Sequence, residues 1–166
     1  MEQQDFLSEM NQNKLPSGLN TLTLLTFIGS GFVILFSAIT PWVIKLMKGF
    51  MEKAMTGDAA ANLTPKQIED MRKGNEMYDL ILKNANITIP VTIVCAIASI
   101  VAAVMMRKRK KDGLTIYIAA EILPVVVSII LLGSAQFNGV MSYVLGLGLP
   151  LLFVTLYVMQ KKHLTK

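Results

Sequence analysis

The chain has 166 residues, of which 53% are apolar and only 16% charged, with a net charge of +5. The charges are segregated, none falling between Lys14 and Lys45, between Lys83 and Arg107, or between Glu121 and Lys161. Uncharged runs of that length exclude an ordinary soluble domain, because a bilayer core asks for about 20 apolar residues per helix and soluble cores rarely do.

Within lipid only helices and closed barrels satisfy their own backbone, and these runs do not alternate as barrel strands must. The sequence therefore predicts an all-α polytopic membrane protein: a four-helix transmembrane bundle with a helical extramembrane loop between spans 1 and 2. The spans are expected near residues 20–43, 86–106, 114–133 and 139–159.

Residues 1–19 form an N-terminal tail. It carries Glu2, Asp5 and Glu9 and one Lys, the reverse of a basic signal-peptide start, so the first apolar run is expected to act as an uncleaved anchor. In that run Gly29, Ser30 and Gly31 thin the helix, and Pro41 and Trp42 lie at its far end.

Residues 45–85 are the one sizeable extramembrane segment. Met47, Met51 and Met55 recur every four residues and make one apolar stripe, suited to contact with the bilayer surface or a partner helix. Thioether sulfur also suits Cu(I), but no His or Cys backs the stripe, so no metal site is assigned. After the break "GDAAAN", Thr64 and Gln67 make a capping box, with Pro65 at the favoured first position. Ile68, Met71, Tyr78, Ile81 and Leu82 share a face, Glu69–Lys73 and Asp79–Lys83 are expected i,i+4 pairs, and Gly74 and Asn75 weaken the centre. The helix is expected to run on into the second span, with the two loop helices packing together.

In the second span Cys95, Ser99 and Ala103 form a four-residue ladder flanked by Ala98 and Ala102, as do Ser142 and Gly146 in the fourth. Small residues at that spacing let helix backbones approach closely in lipid. Arg107, Lys108, Arg109, Lys110 and Lys111 form the next loop. They are expected to set topology and meet anionic lipid head groups rather than nucleic acid. With Lys14, Lys161, Lys162 and Lys166 they place nine basic residues on the side of both termini, against seven in residues 45–85. That bias puts both termini in the cytoplasm, for a protein of the bacterial cytoplasmic membrane.

The third span reads "GLTIYIAAEILPVVVSIILLG" and carries Glu121 eight residues in. At 1.5 Å per residue that is about 12 Å into a core of about 30 Å. An ionised carboxylate there costs roughly 2.5–3.5 kcal/mol, and protonating it at pH 7 costs about 3.7 kcal/mol. Both are expensive, so the group must face the bundle or water. No basic residue lies at that depth, which leaves Tyr117, one turn earlier, and hydroxyls such as Ser30, Ser37, Thr92 or Ser99. Pro124 frees the carbonyl of Ala120 as a second oxygen. Glu121, Tyr117, Ala120 and Pro124 are thus the candidate proton or cation site.

Gly133 to Gly139 supply a turn into span 4, where Pro150 frees the carbonyl of Gly146. Residues 160–166 form a basic tail whose His163, the sole histidine, is expected to be solvated.

No nucleophile–base set, metal-ligand spacing or phosphate loop is present, so neither enzymatic activity nor a cofactor is expected. Small multidrug-resistance transporters share four spans and an essential Glu, but theirs lies in the first span and they lack the long loop. Tetraspanin and claudin patterns need loop cysteines that are missing here. The leading expectation is an accessory or assembly subunit acting through helix and loop contacts, with the bilayer and another membrane protein or a second copy as partners. The alternative is a small proton- or cation-coupled transporter or channel subunit that uses Glu121.

Overall fold

The computed structural model describes residues 15–57, 62–133 and 143–165. Among these the fold is all-α: α1 (Ser17–Thr56), α2 (Pro65–Arg107), α3 (Asp112–Leu132) and α4 (Leu149–Met159), the last preceded by a π-helical turn at Val144–Gly148. The first three are long and apolar enough to cross a membrane. The distribution of side chains is that of a membrane bundle. Leu24, Ile28, Phe32, Leu35, Val94, Ile97, Ile122, Ile130 and Leu151 are exposed, while Thr23, Thr26, Ser30 and Ser99 are buried. Water would invert that arrangement; hydrocarbon around the bundle favours it.

With 40 and 43 residues, α1 and α2 are each about 60 Å long, twice the thickness of a hydrocarbon core. Both predicted loop helices are therefore continuations of spans. Beyond Trp42 the two helices form an antiparallel stalk. Lys48 pairs with Asp79 across it, and Met51 lies over Gly74, where an added Cβ would come within 3.1 Å of the Met51 methyl. Gly74 is thus the seat of a methionine from the other helix, rather than a weak point. Asp79 does not take the expected partner Lys83, since Lys48 reaches it from α1. The Glu69–Lys73 pair forms at 3.0 Å, and with Arg72 it holds the Glu69 carboxyl below its ordinary pKa. The break at residues 58–61 lies outside the described residues.

The capping box at the stalk's tip is complete. Gln67 N–H donates to Thr64 Oγ1 at 3.3 Å, and Thr64 N–H donates to Gln67 Oε1 at 2.8 Å. Thr64→Ala leaves the Gln67 amide without its hydroxyl partner, while the Thr64 amide keeps Gln67 Oε1, and is expected to cost about 1 kcal/mol. Amide exchange in the first turn of α2 will accelerate to match, and unchanged protection there would show that the cap contributes nothing.

The basic loop is a tight helix stop. Arg109 N–H donates to the Met106 carbonyl (2.9 Å) and Lys110 N–H to the Met105 carbonyl (3.0 Å), the paired bonds of a Schellman motif. Arg109 occupies its left-handed position at φ +60°, one usually given to glycine. The C-terminal segment then returns to this loop. A 3-10 turn at Lys161–His163 follows α4, Thr165 N–H donates to the Arg109 carbonyl at 3.1 Å, and Leu164 is buried. The expected basic tail is therefore folded onto the bundle through its one apolar residue.

Leu164 joins Leu19, Leu22, Ala102, Met106, Leu114, Tyr117 and Tyr157 in a single buried core. That core lies at the end of the bundle that holds the start of α1, the basic loop and the end of α4. Of the small-residue ladders, the one in α2 is used. Cys95, Ser99, Ala102 and Ala103 are buried, and a Cβ on Gly113 of α3 would lie 2.8 Å from the Ala102 carbonyl. Gly29 and Gly31 are not used for close approach. A Cβ at Gly29 or Gly31 would meet nothing within 4 Å, and Gly146 is exposed in the π-helical turn. Ser142 lies outside the described residues, as do residues 134–142 in general, including most of the predicted turn.

The π-helical turn has a local cause. Pro150 has no N–H to give, and the backbone just before it widens so that Leu149 N–H reaches the Val144 carbonyl, five residues back.

Candidate functional site: a carboxyl in a four-helix cavity

On α1 the sequence "NTLTLLTFIGS" places Asn20, Thr23, Thr26 and Ser30 three or four residues apart, so they share a face of the helix. That face turns inward, with Thr23, Thr26 and Ser30 all buried. Asn20 Oδ1 accepts from the Arg107 guanidinium at 2.8 Å, and Thr23 Oγ1 donates to the Asn20 carbonyl at 3.0 Å. The Arg107 guanidinium also lies over the Phe27 ring, 5.8 Å from its centroid. Arg107 is therefore committed to α1, while Lys108, Lys110 and Lys111 stand exposed around the loop.

Deeper in, Thr26 Oγ1 and Tyr157 Oη are 2.7 Å apart and share a hydrogen bond between α1 and α4. The rings of Tyr157 and Tyr117 are tilted against each other with centroids 4.4 Å apart. Tyr117 lines the same cavity as Thr26 and Glu121. Ser99 Oγ on α2 completes the set, donating to Glu121 Oε1 over a long 3.5 Å. Hydroxyls from all four helices thus gather around the carboxyl.

Glu121 is half-buried and faces a cavity of about 320 Å³. All four helices line it: Thr26 and Ser30 from α1, Thr92 and Ser99 from α2, Tyr117, Ala120 and Pro124 from α3, and Pro150 and Phe153 from α4. The volume is at the small end of ligand pockets and has room for about ten waters at their liquid volume. The carboxyl, the phenols and the hydroxyls supply polar partners for such waters, whereas cavities that stay dry are apolar.

The candidate residues named from sequence, Glu121, Tyr117, Ala120 and Pro124, all lie on this cavity. Ser30, Thr92 and Ser99 join them; Ser37 does not. Sequence reasoning missed Thr26 and Tyr157. The signal for Thr26 was the polar face of α1, and for Tyr157 a lone phenol in an otherwise apolar helix end. Tyr157→Phe keeps the ring and removes its hydrogen bond to Thr26. It is expected to destabilise the bundle by about 0.6 kcal/mol, and by no more than about 1.7, the range for hydrogen bonds between membrane helices. Unfolding equilibria in mixed micelles measure this, and a more stable variant would contradict it.

Compared with protein-family models, curated proteins and solved structures, the chain matches none.

Proposed function

We propose that this protein is a small, non-enzymatic, proton- or cation-coupled membrane transport protein in which Glu121 is the ion-binding group. The supporting observation is the cavity: an intramembrane carboxyl opens on a space bounded by four helices of one chain, where hydroxyls stand among apolar side chains. Ionisable residues within membrane spans characteristically face such spaces and mark ion pathways or proton relays. If the carboxyl served only to fasten helices, close packing around it would suffice, and a volume of about 320 Å³ beside it would serve no purpose. In this reading α4 is the fourth crossing, the basic end is cytoplasmic with both termini, and the stalk projects from the opposite face of a bacterial cytoplasmic membrane. Purified protein in liposomes under an imposed pH gradient tests it, with an internal pH dye as readout. Flux above that of protein-free liposomes, lost with Glu121→Gln, is expected; equal flux in variant and wild type excludes Glu121 as the coupling site.

A second reading, an accessory subunit docking through the stalk, is favoured by one observation. Met47, Phe50 and Ile68 are exposed apolar side chains on helix segments beyond Trp42. Co-purification of a partner protein in mild detergent, lost with Phe50→Ser and retained by Glu121→Gln, would support that role.

A further inference from the structure

A second, smaller cavity of about 190 Å³ lies between α2 and α3. Thr88 and Thr92 line it from α2, and Pro124, Ser128 and Leu132 from α3. Thr92 and Pro124 line the Glu121 cavity as well, so the two spaces lie on either side of this pair. From there the smaller one runs toward Ile81 and Leu132, the end of the bundle that carries the stalk.

The opposite direction is closed. Between Glu121 and the basic loop stand Tyr117, Tyr157, Met106, Leu19 and Leu22, all at most 7% exposed. There α2 and α3 approach to backbone contact at Ala102 and Gly113. Two structural features set the asymmetry. The helices touch where the small residues lie, and they part where Pro124, whose ring replaces a backbone donor, keeps the α3 backbone from regular packing.

We propose that the smaller cavity is a water-filled entry site through which protons reach Glu121 from the stalk side, the basic side being shut by the Tyr117–Tyr157 pair. This rests on the transport reading of Glu121 and adds the side and the route. The route carries hydroxyls among apolar side chains. Thr88, Thr92 and Ser128 place hydroxyl oxygens along it, that of Thr88 donating to the Asn84 carbonyl at 3.1 Å, and about 190 Å³ has room for about six waters at their liquid volume.

Thiol accessibility tests the route independently of flux. In a Cys95→Ala background, which removes the sole cysteine, single cysteines replace Thr88, Ser128, Glu121 and Leu22. Thr56→Cys and Lys162→Cys report which face of the liposome a membrane-impermeant methanethiosulfonate has reached. Reagent on the Thr56 face is expected to label Thr88→Cys, Ser128→Cys and Glu121→Cys at least tenfold faster than reagent on the Lys162 face, and Leu22→Cys from neither. Faster labelling of Glu121→Cys from the Lys162 face overturns the proposal, as does protection of both Thr88→Cys and Ser128→Cys while Thr56→Cys reacts. Should Glu121→Cys fail to fold, the Thr88 and Ser128 variants carry the same comparison. A flux that survives Glu121→Gln removes the transport reading, while the labelling pattern separately decides the route.

Discussion

Glu121→Gln is expected to reduce proton flux by tenfold or more while leaving the bundle folded. Gln matches Glu in shape and keeps a carbonyl oxygen for the Ser99 hydroxyl, so the contact between α2 and α3 survives. What it loses is the ability to take up and release a proton at any ordinary pH. The substitution therefore separates two roles that Glu121→Ala would confuse. If the carboxyl only fastens helices, Gln does that as well, since hydrogen bonds between membrane helices average about 0.6 kcal/mol. Flux would then be unchanged. If the carboxyl carries the ion, flux falls with no loss of fold, seen as an unchanged elution volume and helical circular dichroism. Glu121→Asp sharpens the test, because it restores the acid one methylene farther from Ser99. Partial flux with Asp and none with Gln identifies the titrating group; equal loss in both would point to geometry instead.

Much of this site was legible in the sequence because depth and charge are one-dimensional. Counting from Gly113 places Glu121 near the midplane, the absence of intramembrane cations removes ion pairing, and Pro124 and Tyr117 follow by helical spacing on the same element. The class of fold was equally legible from the uncharged runs and the capping box. What spacing along one helix does not give is which faces of different helices meet. Thr26 and Tyr157 are 131 residues apart, and their 2.7 Å contact depends on how α1 and α4 cross. The same limit explains Asp79, where periodicity offered Lys83 on the same helix and the stalk brought Lys48 from another. Leu164 was hidden for a different reason. One apolar residue among lysines carries no periodic signal, yet a backbone bond to Arg109 is enough to seat it in the core.

The small residues show where sequence pattern and packing part company, and they yield the second large effect. Gly29 and Gly113 are both helical glycines, but only Gly113 sits at a contact. A Cβ there would lie 2.8 Å from the Ala102 carbonyl oxygen, 2.9 Å from Met106 Cγ and 3.0 Å from Met105 Cβ. Ala is the better helix former by about 0.8–1.0 kcal/mol, which favours substitution at either site. Overpacking opposes it by about 1–3 kcal/mol, and at Gly113 the nearest atom is backbone, which cannot swing aside. Gly113→Ala is therefore expected to destabilise the bundle by about 1 kcal/mol, rising to about 2 where the backbone cannot give, whereas Gly29→Ala and Gly31→Ala, with nothing within 4 Å, are neutral or stabilising. Unfolding equilibria of the three variants in mixed micelles decide it, and a Gly113→Ala protein as stable as wild type would mean that α2 and α3 do not touch there. The effect reaches function through the closed end of the bundle. Gly113 lies one helical turn before Tyr117, so pushing α3 away from Ala102 also draws Tyr117 from Tyr157. In Gly113→Ala, Leu22→Cys should then become reactive from the Lys162 face, turning a one-sided cavity into one open at both ends.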